Sequence, residues 1–99
     1  MPKFQFTNKA KEDLSDIWNF TFDTWSENQA DKYYQEILDK CDEISENPND
    51  GKRYEGVWNS VKGISVNKHI IFYKEISSEL IEIVRILHQR MDLKSRLKI

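Results

Sequence analysis

The stretch Leu80-Ile81-Glu82-Ile83-Val84-Arg85-Ile86-Leu87 is apolar at six of its eight positions. However a strand alternates here, these side chains fall on both of its faces, and a strand apolar on both sides is usually central in its sheet. The neighbours of such a strand must come from elsewhere in the chain. Upstream, His69 to Lys74 is a β-branched and aromatic run, and Val61 to Val66 alternates loosely. Asn67-Lys68 between them has the chemistry of a tight turn, so the two runs predict a β-hairpin. Ser77-Ser78 marks a second turn, leading into the apolar stretch. At the other end of the chain, Lys3 to Phe6 places Phe4 and Phe6 on one side of a short strand.

Between these strands the period changes to that of helices. Thr7 is positioned as an N-cap, and Ala10, Leu14, Ile17, Trp18, Thr21, Phe22 and Trp25 recur at steps of three and four. Phe20 lies off that stripe. Ser26-Glu27-Asn28-Gln29 matches a capping box that starts a second helix. Its stripe is Ala30, Tyr33, Tyr34, Ile37, Leu38, Cys41 and Ile44, and Asn47-Pro48 ends it, because the residue before proline disfavours helical angles. The short link makes the pair an antiparallel hairpin. Asn47-Pro48-Asn49-Asp50-Gly51 is a dense turn signal, and the residues from there to about Asn59 read as an irregular connection. The order strand, helix, helix, strand, strand, strand predicts a two-layer α+β domain, the helical hairpin burying its stripe against one sheet face.

At 99 residues the chain is long enough for one compact domain over residues 1–99. Such a domain buries roughly 60 to 70% of its unfolded surface. No apolar stretch is long enough for a signal peptide or a spanning helix, so the expected location is the cytoplasm. Cys41 is the single cysteine, which excludes an internal disulfide and a multi-cysteine zinc site; its place in an apolar stripe reads as a small buried hydrophobe. The net charge of −2 hides an asymmetry: twelve acidic residues against Lys32 and Lys40 from Glu12 to Asp50, then ten basic against five acidic from Gly51 to Ile99. An anionic partner for the basic half and complementarity within the chain both account for it.

Several of these segments resemble the RelE/ParE toxin superfamily, and its ParE branch in particular. Phe6-Thr7-Asn8-Lys9-Ala10-Lys11-Glu12-Asp13-Leu14-Ser15-Asp16-Ile17 looks like the family's opening. Trp25-Ser26-Glu27-Asn28-Gln29-Ala30 with Tyr33 resembles the inter-helix link, and Asn47-Pro48 with Gly51-Lys52 the loop after the second helix. His69-Ile70-Ile71-Phe72-Tyr73 and Val84-Arg85-Ile86-Leu87-His88-Gln89-Arg90-Met91-Asp92 are similar to its two C-terminal strand signatures. The resemblance implies a two-layer RelE/ParE-like fold with sheet order 2-3-4-1, counting the first strand as 1. It also implies a toxin of a type II toxin-antitoxin system, neutralised by a small ParD-like antitoxin and poisoning DNA gyrase by binding it. DNA would then be touched only through the antitoxin or the gyrase complex.

The alternative from the same superfamily is a ribosome-dependent mRNA endonuclease, and a third reading is an antitoxin-binding module without toxicity. RelE-like nucleases usually place a Tyr near the end of the last strand; here that stretch is Leu87-His88-Gln89-Arg90, without one. A nuclease would have to work with His88, Arg85, Arg90 and Lys62 as an acid–base and phosphate-clamp set. The bland readings are a strand-end His88 satisfied by a backbone carbonyl and an Arg85 paired with Glu82 or a helix carboxylate. No cofactor or metal is expected: His69 and His88 are far apart and lack a carboxylate cluster, and no Gly-rich phosphate loop is present.

For target binding the candidates are His88, Arg90, Met91, Asp92, Lys94 and Arg96, the last two in a basic tail over residues 92–99. For antitoxin binding they are Phe20, Trp25, Tyr33, Trp58 and Ile64, with Lys62 to Val66 as an edge strand open to added pairing. The aromatics read either as lids over the core or as anchors for another chain, lid being preferred for Trp25 and anchor for Phe20. Trp58 and Lys62 depart from the ParE pattern, which often carries Arg near both places; this bears on gyrase targeting more than on the fold.

Overall fold

The computed structural model describes residues 3–54 and 58–90. The elements run β1 (Lys3–Phe6), α1 (Asn8–Thr24), α2 (Glu27–Glu46), a 3-10 turn (Pro48–Asp50), β2 (Lys52–Arg53), β3 (Lys62–Val66), β4 (His69–Ser77) and β5 (Leu80–His88). They form one sheet in the order β1-β5-β4-β3-β2, with β1 parallel to β5 and every other pairing antiparallel. Without the two-residue β2, this is the expected order. The stretch following Gly51 is thus not wholly irregular: Lys52 and Arg53 pair with Gly63 and Lys62 and extend the sheet to five strands. They cover only that end of β3, leaving Ile64 to Val66 beyond the pairing. The second turn falls at Ser78–Glu79, one residue later than expected, because β4 extends through Ser77 to pair with Leu80.

Both helix starts are fixed by side-chain caps. Thr7 Oγ1 accepts from the Ala10 amide at 3.0 Å and donates to the Val84 carbonyl at 2.9 Å, so one hydroxyl caps α1 and ties it to β5. Ser26 Oγ accepts from the Gln29 amide at 3.1 Å. In the β3–β4 turn Asn67 takes φ 50°, the left-handed region that asparagine tolerates.

The main core lies between the helical hairpin and the sheet. Ala10, Leu14 and Ile17 of α1, with Ile37, Cys41 and Ile44 of α2, meet Ile71 and Tyr73 of β4 and Ile81, Ile83 and Ile86 of β5. Burial pushes the Cys41 thiol up to about 12, as befits a packed hydrophobe. That Ile83 and Ile86 share a face follows from a β-bulge. Phe72 pairs with Arg85 but Tyr73 with Ile83, so Val84 is an extra residue that shifts the alternation by one. Val84 and Leu87 then join Val61, Ile70 and Phe72 on the opposite face, against which Tyr54 and Trp58 pack. The ring centroids of Tyr54 and Trp58 stand 5.1 and 6.3 Å from that of Phe72. This is why the last strand is apolar on both sides: one face meets helices, the other the connection before β3.

The helix stripes are narrower than their periodicity suggests. Of the seven positions on the first stripe, Ala10, Leu14, Ile17 and Thr21 are buried, whereas Trp18 is half-buried and Phe22 and Trp25 are exposed; on the second stripe Tyr34 is exposed. Ala10, Leu14, Ile17 and Thr21 follow the i, i+4, i+7, i+11 line that touches the sheet, and the wider positions fall on its flanks.

Where β1 stops, α1 takes over the edge of β5. Asp13 accepts from Arg85 Nε at 2.8 Å, from Arg85 Nη2 at 3.0 Å and from the Ile86 amide at 3.0 Å. A single carboxylate thus satisfies a strand-edge N–H and holds a guanidinium by two bonds. These bonds hold the Arg85 proton more tightly than usual. At the other end of the sheet, the Tyr73 hydroxyl donates to the Pro48 carbonyl at 2.7 Å and accepts from the Gly51 amide at 2.9 Å. Gly51 is required there, since a Cβ would run into that hydroxyl.

Candidate functional site

The α1–α2 link and the β3–β4 turn stand on either side of a groove of about 560 Å³. Phe20, Thr21 and Trp25 line it from the end of α1, Gln29, Tyr33 and Glu36 from α2, and Asn67, Lys68, His69 and His88 from the sheet. Phe20 is 68% and Trp25 74% exposed. Aromatics that open to solvent contribute little to the fold, and their place at the mouth of a concave surface makes it the candidate binding surface. Trp25 is therefore not a lid over the core.

The floor of the groove is a hydrogen-bonded network. The Tyr33 hydroxyl contacts the Val66 carbonyl at 3.1 Å and His69 Nδ1 at 2.7 Å. A carbonyl only accepts, so Tyr33 is the donor to Val66, and the direction of its bond with His69 Nδ1 follows the tautomer of the imidazole. Across the β4–β5 pairing the rings of His69 and His88 stand edge to face at 5.3 Å. His88 Nδ1 accepts from the Arg90 amide at 3.1 Å, which puts the proton of its neutral ring on Nε2. Its Nδ1 is thus satisfied by a backbone N–H rather than by a carbonyl. Asn67 Nδ2 donates to Glu36 across the rim at 2.7 Å.

Burial, with His88 nearby, lowers the His69 pKa to about 4, outweighing the opposing pull of Asp13. Burial and the charge of Glu36 push Tyr33 up to about 12, against a backbone hydrogen bond from Lys68. At neutral pH the pair therefore stays uncharged. A catalytic base works best with a pKa near the working pH, and burial holds that of His69 well below it.

The groove gathers Phe20, Trp25, Tyr33 and His88 from two candidate sets that the sequence kept apart. It does not gather the rest. Trp58 packs on the opposite face of the sheet against Phe72, and Ile64 packs against the helix-side core. Arg85 is held by Asp13 at the β5 edge, its partner being a helix carboxylate rather than Glu82. Lys62 pairs with Tyr73, four residues along β3 from Val66, the partner of His69, so about 13 Å of strand separates it from the imidazoles. It contacts the Pro48 carbonyl, Asn49 and Glu75. Met91, Asp92, Lys94 and Arg96 lie outside the described residues.

His69 is the groove residue that sequence alone does not single out. His69 and His88 are far apart in sequence yet adjacent in space, and the only signal available was that each ends a strand of one antiparallel pair. Among the described residues, no group of three or more His, Cys, Asp or Glu is placed to hold a metal ion, and no helix is long and apolar enough to cross a membrane.

The family model described as "ParE toxin of type II toxin-antitoxin system, parDE" matches residues 4–93. Toxin ParE1 of Mycobacterium tuberculosis (strain CDC 1551 / Oshkosh) is 30% identical over 95 residues, covering 96% of this chain and 97% of that protein. Toxin ParE1 of Caulobacter vibrioides is 30% identical over 97 residues, covering 98% and 99%. Among solved structures, a chain of the chromosomal ParDE toxin-antitoxin system from P. aeruginosa superposes with a TM-score of 0.74 at 20% identity, covering 89% of this chain and 96% of that one. A chain of the RelBE2 toxin-antitoxin complex from Mycobacterium tuberculosis gives 0.67 at 15% identity, covering 89% and 99%. These two structures share the chain's two-layer fold. The chain belongs to the ParE toxin family of type II toxin-antitoxin systems.

Proposed function

We propose that this ParE-family chain arrests growth by binding DNA gyrase and stabilising its cleaved-DNA state, and that a ParD-like antitoxin silences it. The observation that carries this reading is the groove: exposed Phe20 and Trp25 stand over a floor of Tyr33, His69 and His88, in which burial keeps the Tyr33–His69 pair uncharged at neutral pH. A protein segment with apolar anchors fits such a surface better than a phosphate backbone does. In this reading Phe20, Trp25 and Tyr33 receive the antitoxin, while His88 and Arg90, with Met91, Asp92, Lys94 and Arg96, meet the target. The dispersal of Arg85 and Lys62 supports binding over RNA cleavage.

The test is an assay of purified gyrase with and without the chain. The expected result is loss of supercoiling with accumulation of cleaved DNA, while translation in a cell-free system continues. Cutting of ribosome-bound message with gyrase turnover unaffected refutes the reading in favour of the endonuclease. Trp25→Ala, which removes an exposed side chain, is expected to weaken antitoxin binding about tenfold or more without lowering the melting temperature.

A further inference from the structure

The helical hairpin carries a second aromatic patch that neither the core nor the groove uses. Periodicity puts Trp18, Phe22 and Tyr34 on the stripes that face the sheet, yet Phe22 is 44% and Tyr34 39% exposed. Trp18 stacks on Phe22 with centroids 5.2 Å and planes 20° apart. With Ser15, Asn19, Asp31 and Tyr34 it lines a hollow of about 470 Å³.

Asp31 gives this hollow its chemistry. One of its oxygens accepts from Trp18 Nε1 at 3.0 Å. An indole N–H is a neutral donor, and among the described residues no cation pairs with this carboxylate. Two aromatic rings beside a carboxylate are an environment for a cation, held by the ring faces and by the charge together. The surrounding field has the same sign, with twelve acidic residues against two lysines from Glu12 to Asp50. A phosphate would be repelled there. A planar guanidinium suits the place better than an ammonium, because it stacks on rings while offering a fork of donors to the acid.

We propose that this hollow receives an arginine side chain of the antitoxin and makes part of the toxin's choice of partner electrostatic. The proposal rests on the reading of the chain as a toxin silenced by an antitoxin. It adds a contact separate from the groove, on the flank of the hairpin.

The test uses the full chain and the antitoxin encoded beside it, with Kd measured by calorimetry across a salt series. Asp31→Asn should weaken binding roughly five- to tenfold and flatten the salt dependence, whereas Asp31→Glu should keep most of the affinity. Trp18→Leu should weaken binding to a similar degree. Glu46→Gln removes the same charge about 22 Å further along α2 and should change little. In a double-mutant cycle, one antitoxin Arg→Gln change should lose its effect in the Asp31→Asn background. Melting curves check that each variant is folded, and Trp18→Phe serves as a milder variant that keeps the stack. Tight wild-type binding with Asp31→Asn no weaker than Glu46→Gln overturns the hollow and leaves the toxin–antitoxin reading standing. Absence of binding by the wild type overturns both.

Discussion

Asp13→Ala is the substitution whose effect the structure fixes most tightly. It deletes three acceptor contacts at once, two to the Arg85 guanidinium and one to the Ile86 amide. The Asp13 side chain is 11% exposed and that of Arg85 23%, so water replaces these partners only in part. Removing one member of a buried ion pair costs about 3–5 kcal/mol, because the other charge is left uncompensated. Partial exposure of Arg85 lowers this to about 2–3 kcal/mol, and the orphaned amide falls within the same figure. For a domain whose stability is of order 5–15 kcal/mol, that is a large share. With a urea slope of about 1–1.5 kcal/mol/M, the midpoint should fall by about 2 M, and the melting temperature by about 10–20 °C. Arg85→Met placed on top of Asp13→Ala should restore part of the loss, since it removes the stranded charge. A loss under about 1 kcal/mol, or a second substitution that deepens the damage, would refute the reasoning that this carboxylate seals the β5 edge.

Two further outcomes follow from the network and from the loop anchor. His69 has a folded pKa of about 4 against an ordinary 6.5, so below pH 6.5 the unfolded chain binds the proton first. Stability should therefore hold above about pH 6.5 and decline toward pH 4, and His69→Gln should flatten melting temperatures over that window; an unchanged decline in the variant would place its origin elsewhere. Tyr73→Phe deprives both the Pro48 carbonyl and the Gly51 amide of their partner and should cost about 1–3 kcal/mol in urea denaturation; equal midpoints for the two proteins would show that water replaces the hydroxyl.

Local chemistry explains which parts of this architecture were legible in the sequence. Thr7 and Ser26 announce the helix starts because a cap is written within four residues, and Asn67-Lys68 announces its turn for the same reason. The sheet order came from family resemblance and not from any residue pattern, because nothing in Lys3–Phe6 says which strand it will join. The stripes read from sequence are wider than the buried faces, since a 3.6-residue period marks an apolar arc without saying how much of it the sheet will cover; Trp18, Phe22, Trp25 and Tyr34 lie on that uncovered margin. The short β2 strand was missed because Lys52 and Arg53 carry no strand signature and are ordered by pairing with Lys62 and Gly63. The candidate site was legible in its aromatics and in His88. His69 joins Tyr33 through a contact across 36 residues, and Asp13 reaches Arg85 across 72, distances over which sequence spacing carries no information.

The parallel pairing of β1 with β5 also has a consequence in time. Gln5 and Glu82, opposite one another in that pairing, are separated by 77 residues. A ribosome makes the N-terminal strand first and delivers its partner only after the helical hairpin and the β-hairpin have emerged, so the sheet cannot close while the nascent chain ends short of Leu80. During that interval the inner faces of both helices lack the strand that supplies Ile81, Ile83 and Ile86, and non-local closure of this kind is slow relative to helix formation. Nascent chains arrested before Leu80 should accordingly be cleaved readily by added protease, and those released beyond His88 should resist it.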